Sequence, residues 1–179
     1  MGCCFGHILR QLAFDGAPAA NLAGTDLRPE FVELGYQLFR DRDRFPVRFV
    51  TGDIFAAPQA SGLAALEGRF DIVHAASFFH LFGWDEQVTV GERIVGFFKP
   101  GAKALVLGRQ VGNLDPLSPE EARARGEQRF LHNVESLQKL WDVIGERTGT
   151  KWRATGDLTD TIVEGIRRVI IRFAVFKVE

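Results

Sequence analysis

The chain opens with Met1-Gly2-Cys3-Cys4-Phe5-Gly6, and an apolar helical segment from Ile8 to Phe14 follows directly. Glycines at this spacing let the backbone turn tightly and let a ligand approach it closely. In α/β proteins a loop of this kind ends a buried parallel strand and opens the next helix. The stretch therefore predicts a ligand-binding loop, although Cys4 stands where a GxGxG loop has its middle glycine.

Strand and helix patterns alternate after this loop. Short apolar runs predict four strands, at Asn21–Thr25, Val47–Thr51, Phe70–Ala75 and Ala104–Gly108. The last two runs are continuously apolar, as is typical of buried strands. Helical spacing predicts helices after Pro29 (Phe31, Leu34, Leu38, Phe39), at Leu63–Leu66 after a loose segment with Pro58, and after Asp85 as N-cap (Val88, Ile94, Val95, Phe98).

The C-terminal third changes character. Ser118 with Glu121 predicts a capping box, and Asn133 caps a further helix that ends at Gly149. Lys151–Ala154 and Val169–Val178 then form two strand candidates without a clear helix between them, which indicates an antiparallel hairpin. The order predicts one α/β domain over residues 1–179, a doubly wound, Rossmann-like and mostly parallel sheet with a C-terminal antiparallel strand pair.

Composition excludes several classes of function. The 179 residues are 46% hydrophobic and 25% charged, with a net charge of -1, so neither nucleic acid nor an anionic membrane is an expected partner. No apolar run has the roughly 18 residues of a membrane span, and no secretory signal is evident. The two cysteines are adjacent, which suits neither a disulfide framework nor a metal site. A cytoplasmic, metal-free protein acting on a small molecule is expected.

Two acidic residues follow predicted strands, where α/β sheets bind their ligands. Asp26 lies about 20 residues after the loop, where a carboxylate accepts hydrogen bonds from ribose hydroxyls. The alternative is that Asp26 caps the helix after Pro29. Asp53 is placed to accept from the exocyclic amine of adenine while Ile54 packs on the ring, and the alternative is a turn-forming Asp.

Further polar residues follow the later strands. Ser77 and His80 come just after the predicted strand Phe70–Ala75, and His80 is a candidate base for a substrate hydroxyl, with a packing or capping histidine as the alternative. His132, in the loop before the late helix, is a second candidate for the same role. Arg109 is positioned to hold a substrate carboxylate, with a plain surface charge as the alternative.

Several motifs together carry a family resemblance. They are the opening glycine loop, Asp26-Leu27-Arg28-Pro29-Glu30-Phe31, Gly52-Asp53-Ile54-Phe55, Phe70-Asp71-Ile72-Val73-His74 and Lys99-Pro100-Gly101. Their order and spacing resemble class I S-adenosylmethionine-dependent methyltransferases. Ser77-Phe78-Phe79-His80-Leu81-Phe82 and Gly108-Arg109-Gln110-Val111-Gly112 resemble, more narrowly, the fungal enzymes that tailor polyketide-derived meroterpenoids.

The resemblance implies a seven-stranded sheet and S-adenosylmethionine as cofactor. It implies methyl transfer in one displacement step to oxygen, less readily to carbon, of a small secondary metabolite. A carboxylate acceptor needs no base, whereas an alcohol or phenol benefits from His80. The cofactor residues that it implies, with their neighbours, are Gly2, Cys4, Gly6, Thr25, Asp26, Leu27, Asp53, Ile54 and Ser77.

The chain departs from the family pattern at its start. The first strand, the acid two residues before the first glycine and a helical N-terminal extension are missing. We therefore expect a truncated form of a working enzyme, a short paralogue that no longer methylates, or a chain whose missing strand comes from a partner, such as a second copy in a homodimer. A non-catalytic subunit that binds a partner enzyme is the rival function. A nicotinamide oxidoreductase is disfavoured by the spacing of the glycine loop and by the C-terminal strand pair.

Overall fold

The computed structural model describes residues 1–57 and 60–178. Pro58, which the sequence placed in a loose segment, lies outside the described residues. The fold consists of two compact units, Met1–Leu66 and Glu67–Glu179, and each is described by itself. The prediction of a single domain over the whole chain stays a prediction. None of the helices in the described ranges has the length and apolar character needed to cross a membrane.

The first unit is built from two strands and two helices. Helix α1 spans His7–Phe14, strand β1 Ala23–Asp26, helix α2 Pro29–Phe39 and strand β2 Arg48–Thr51. The two strands pair in parallel, with Ala23 opposite Arg48 and Asp26 opposite Thr51. Their carboxyl ends therefore lie side by side at one edge of the sheet.

The core of the first unit is small. Leu9, Phe45 and Val47 are buried, and Tyr36 and Phe49 are among the partly buried side chains around them. The predicted apolar stripe of α2 is not a core face, because Leu34, Leu38 and Phe39 are exposed by 47%, 64% and 39%. Gly35 is the buried residue of α2 instead, and the Phe5 carbonyl of the opening loop lies against it.

The second unit is a four-stranded sheet with helices. Strand β3 spans Ile72–His74, helix α3 Trp84–Phe97, strand β4 Leu105–Val111, helix α4 Pro119–Ala124, helix α5 Val134–Thr148, strand β5 Lys151–Val163 and strand β6 Ile166–Val178. The strand order is β3-β4-β6-β5. β3 and β4 pair in parallel, whereas β6 is antiparallel to both of its neighbours.

The core of the second unit lies between α3, α5 and the sheet. Its fully buried side chains include Ile94 of α3, Leu140 and Trp141 of α5, and Ile171 and Val175 of β6. The ring of Trp141 contacts the rings of Phe79 and Trp152 at centroid distances of 6.3 and 4.9 Å. Contacts of this kind between large rings supply both buried apolar area and a preferred geometry.

Several sequence predictions are confirmed. Parallel strands followed by an antiparallel C-terminal pair are present. Ser118 and Glu121 form a capping box, Asn133 caps α5, and Gly149 ends it with a left-handed backbone, φ 65°. The predicted hairpin is longer than expected, because β5 and β6 pair over their whole length and join through a two-residue turn with φ values of 53° at Glu164 and 78° at Gly165.

Three predicted details are wrong. Asp85 does not cap α3: Gly83 holds that position, Glu86 accepts from its backbone N–H, and Asp85 instead pairs with Arg123. The run Phe70–Ala75 is a strand only at Ile72–His74, and Ile72 is 57% exposed, so an apolar run did not mean a wholly buried strand. The fourth predicted strand extends to Val111 because β6 continues to pair with it there.

Candidate functional site

The opening loop has an unusual backbone. Gly2, Cys4 and Gly6 all have positive φ values, of 57°, 49° and 70°. The left-handed region is nearly free for glycine but costs an L-residue such as Cys4 about 1–2 kcal/mol. Cys4 therefore differs from the GxGxG pattern in residue type but keeps the left-handed backbone that a glycine at this position would adopt, at that cost.

Hydrogen bonds attach this loop to the end of β1. Cys3 N–H donates to the Thr25 carbonyl at 3.0 Å, and Cys4 N–H donates to Asp26 Oδ2 at 2.7 Å. Gly6 is the N-cap of α1 and has no side chain to cap it, and within residues 1–57 and 60–178 no side chain accepts from the first amide groups of that helix. Such amide groups are suited to polar or anionic ligand groups.

Asp26 and Asp53 lie at the same edge of the two-stranded sheet. Asp26 ends β1 opposite Thr51, and the Gly52 N–H donates to the Asp26 carbonyl at 3.1 Å. Asp53 follows one residue later. The structure thus places the two acidic residues that the sequence analysis identified at one edge of the sheet, and Cys4 N–H joins the glycine loop to the first of them.

Asp26 does not cap the helix after Pro29, since the N-cap position belongs to Arg28 and has no side-chain cap. Its carboxylate accepts from Cys4 N–H and, at 3.1 Å, from Arg28 N–H. A carboxylate has about four acceptor sites, so roughly two stay available to a ligand diol. The donors and acceptors present here therefore fit a ribose.

The other candidates in the first unit surround these acids. Asp53 is exposed and its Oδ1 accepts from Phe55 N–H at 2.9 Å, so it forms the turn that was the alternative interpretation. Its Oδ2 accepts no hydrogen bond from residues 1–57 or 60–178. Ile54 and Thr25 are buried, with 7% and 6% exposure, and Leu27 is 62% exposed. An exposed Leu27 beside Asp26 provides apolar surface at this edge.

Three candidates of the second unit lie at the carboxyl ends of β3 and β4. Ser77 is exposed, has φ 51° and donates its backbone N–H to the Arg109 carbonyl at 2.7 Å. His80 N–H donates to Gln110 Oε1 at 3.3 Å. The Arg109 side chain is exposed and forms no ion pair within the described part of the chain. The structure therefore brings Ser77, His80 and Arg109 to one end of this sheet.

His80 sits in an environment that disfavours its charged form. Burial and, second, the nearby positive charge of Arg129 lower the pKa of His80. Its Nδ1 atom is buried and makes no hydrogen bond to any of residues 1–57 or 60–178. A neutral imidazole is chemically able to accept a proton.

His132 is placed differently from the sequence prediction. It is fully buried, and burial lowers its pKa to about 3. Gln87 donates its amide hydrogens to the Phe82 and Phe130 carbonyls, so its Oε1 accepts from His132 Nε2 at 3.0 Å, and Nδ1 accepts from Ser136 Oγ at 2.9 Å. Both ring nitrogens are therefore occupied by internal hydrogen bonds. His132 is therefore not retained as a candidate base.

Two residues near the loop carry no sequence signal. Arg10 donates to the Phe5 carbonyl at 2.6 Å and forms a two-bond ion pair with Asp41. Ser61, 7% exposed, donates to the Asp53 carbonyl at 3.2 Å. The Arg10–Asp41 pair joins residues 31 positions apart, and the Ser61–Asp53 and Arg10–Phe5 contacts join side chains to backbone carbonyls without a recognisable motif, so the sequence contains no sign of them.

The comparisons with known proteins agree with this geometry. A family model described as a methyltransferase domain matches residues 1–101. The chain belongs to this methyltransferase family. The resemblance drawn from the opening loop and the strand-end acids is thereby confirmed.

Fungal methyltransferases are among its relatives. The O-methyltransferase phiE of a fungal species is 39% identical over 155 residues, which cover 87% of this chain and 51% of that protein. The O-methyltransferase atr3 of Stereocaulon alpinum is 37% identical over 158 residues, or 88% of this chain and 45% of that protein. This methyltransferase chain thus spans about half the length of the curated relatives it matches.

A solved structure shares the fold. It is the 1,6-didemethyltoxoflavin-N1-methyltransferase of Burkholderia thailandensis, with 1,6-didemethyltoxoflavin and S-adenosylhomocysteine bound. The TM-score is 0.62 at 16% identity, and the match covers 99% of this chain and 69% of that one. At this identity the likeness concerns the Rossmann-like methyltransferase fold alone.

Proposed function

We propose that this chain takes part in methyl transfer from S-adenosylmethionine to an oxygen atom of a small secondary metabolite. The observation that carries the proposal is the position of Asp26 and Asp53 at the ends of two paired parallel strands, with the glycine loop hydrogen-bonded to the first of them. Family membership and the fungal O-methyltransferases among the relatives support the same reaction class.

S-adenosylmethionine is the cofactor, and its sulfonium supplies the methyl group when bound. The spare acceptor sites of Asp26 take the ribose hydroxyls, and Asp53 Oδ2 takes the adenine amine while Ile54 packs beneath the ring. Gly2, Cys4 and Gly6 leave the loop backbone open to the amino-acid end of the cofactor, with Thr25 and Leu27 as neighbours in the same unit. Ser77, in the second unit, is a further cofactor residue that the family resemblance implies. Most of these roles use side chains of the first unit.

The residues proposed to act on the acceptor belong to the second unit. His80 is neutral at neutral pH, because its pKa is lowered, and takes the proton of a hydroxyl acceptor. Arg109 stands opposite Arg172 in the pairing of β4 with β6, and this pair of cationic residues on adjacent strands suits a substrate carboxylate. A methyl transfer to a carboxylate would use Arg109 for orientation and would need no base. We propose a small fungal metabolite of the meroterpenoid type as the acceptor.

Calorimetric titration with S-adenosylhomocysteine tests the proposal. We expect saturable binding to the wild-type chain and a loss of about tenfold or more in Asp26→Asn, the range for hydrogen bonds to a charged group. Asp43→Asn is the matched control, since Asp43 is an exposed aspartate of the same unit. Affinity within a few-fold of wild type in folded Asp26→Asn would remove the ribose assignment. Absence of binding to folded wild-type protein would remove the proposed function and favour a non-catalytic role.

A further inference from the structure

Among the described residues of the first unit, Arg10 makes more side-chain hydrogen bonds than any other cationic residue. Its Nε and Nη2 donate to the two carboxylate oxygens of Asp41 at 2.6 and 2.8 Å, and its Nη1 donates to the Phe5 carbonyl at 2.6 Å. The two side chains are only 10% and 17% exposed. Hydrogen bonding from Arg10 also lowers the pKa of Asp41, so the pair stays ionised over the neutral range.

Aromatic rings enclose the same guanidinium. Its central carbon lies 4.4 Å from the ring centroid of Phe39, 4.6 Å from that of Phe45 and 5.5 Å from that of Tyr36. Cation–π contacts of this kind are strongest when the cation is shielded from water. Asp41 and the rings therefore fix the guanidinium in position independently of its contact with the loop.

The contact with Phe5 holds the second half of the glycine loop. Cys3 and Cys4 fasten the first half to β1, but none of the described strands pairs with Phe5 or Gly6. There the Arg10 guanidinium meets the Phe5 carbonyl on one side, and Gly35 of α2 lies so close that a Cβ would be 2.4 Å from the same oxygen. Between these two contacts the loop has little freedom to change its path.

We propose that the Arg10–Asp41 pair is a positioning pair for the cofactor loop, which it keeps in the shape that binds the cofactor. This inference rests on the proposed function for its consequence, but the ordering of the loop can be tested without any ligand. A loop with three left-handed residues has many alternative paths, so an external restraint removes conformations that would otherwise compete with binding. The restraint requires arginine, because a lysine ammonium cannot make the two-bond pair and a third bond in one plane.

Arg10→Lys is the decisive variant, since it keeps the charge. Hydrogen exchange of the free protein is expected to rise about tenfold or more for the amides of residues 2–6, the loss expected for a charge-assisted hydrogen bond. Exchange in β2 should stay unchanged. The affinity for S-adenosylhomocysteine is expected to fall by a similar factor. Asp41→Asn, which leaves the Phe5 contact in place, should give a smaller change in both quantities.

The exposed pair Arg42–Glu33 is the matched control. It lies in the same unit, Arg42 also stacks on Tyr36, and the side chains are 54% and 52% exposed. In Arg42→Lys, hydrogen exchange of residues 2–6 and the affinity for S-adenosylhomocysteine should both stay within about twofold of wild type, because most exposed ion pairs contribute little.

Unchanged loop exchange in folded Arg10→Lys would overturn the inference, and so would a uniform rise over the whole first unit, which would indicate general stability alone. If Arg10→Lys does not fold, the same two readouts on Asp41→Asn decide the question. If wild-type protein binds no S-adenosylhomocysteine, the proposed function fails, while the exchange measurement still decides whether Arg10 orders the loop.

Discussion

At the residue scale, burial keeps the imidazole of His132 neutral in the folded chain. The pKa of His132 is about 3 in the folded protein, against about 6.5 for an unperturbed histidine. Between these two values the unfolded chain binds a proton that the folded chain does not. Unfolding is therefore favoured as the pH falls from 6.5 towards 3, and the stability contributed by neutral His132 is complete only above pH 6.5.

We expect the free energy of unfolding to fall by up to about 1.4 kcal/mol per pH unit in this window because of His132. His132→Gln should lose that part of the slope. Urea denaturation at pH 7.0, 6.0 and 5.0 measures it, with His7→Gln at an exposed position as the control. An equal slope in wild type and His132→Gln would show that His132 is not the group responsible.

Sequence reasoning worked at residues whose role depends on their place after a strand. Asp26 and Asp53 were predicted to lie together because parallel strands end at one edge of a sheet, and they do. It failed at His132, because the same loop position suits a base in a cleft and a histidine buried against Gln87 and Ser136. Arg10 escaped notice because its partner Asp41 is 31 positions away.

At the scale of elements, helices α3 and α5 meet at a position without a side chain. A Cβ on Gly91 would lie 2.1 Å from Cδ1 and 2.8 Å from Cγ1 of Ile144, which is fully buried. Ile144 has no solvent to move into. Glycine in a helix interior lowers helix stability. Its presence at position 91 is explained by the lack of space for a side chain next to Ile144.

Gly91→Ala is expected to destabilise the protein by about 1–3 kcal/mol, as overpacking of a core does. Gly96→Ala in the same helix should instead stabilise it by up to about 1 kcal/mol, because no atom lies within 4 Å of the added methyl group. Urea denaturation of both variants gives the comparison. Adding Ile144→Val should recover part of the loss in Gly91→Ala, and no recovery would place the strain elsewhere.

Element types were easier to predict than element limits. The capping box at Ser118 and the cap at Asn133 use bonds within four residues, so the sequence contains all of their chemistry. The length of β4 depends on β6, which pairs with it from about sixty residues away, a distance over which local patterns carry no information. The exposure of Ile72 is likewise a property of the surroundings of β3.

At the scale of the whole molecule, the candidate residues fall into two groups, one in each compact unit. The loop, Asp26 and Asp53 belong to the first, whereas Ser77, His80 and Arg109 belong to the second. The sequence predicted the alternation of strands and helices in both. The sequence contained no signal for the boundary between the two units, because that boundary depends on which residues contact each other in the folded chain and no single residue marks it.

This division predicts where a ligand protects the chain. With S-adenosylhomocysteine at about 100 times its Kd, the state that binds it gains about 2.7 kcal/mol. We expect the largest fall in hydrogen exchange in peptides from residues 1–57, chiefly the opening loop and the turn at Asp53. Peptides from α5 serve as an internal reference. Protection confined to residues 118–178 would contradict the assigned cofactor site.

The short turn between β5 and β6 also bears on how the chain folds. Glu164 and Gly165 close this hairpin with two residues, so the two strands can align within about 10 microseconds once both are free to fold. The parallel alignment of β3 with β4 must instead wait until roughly thirty intervening residues, α3 among them, have become compact. The hairpin is thus ready to act as a template on which β4 docks, and the entry of β3 is the step expected to limit the rate of folding.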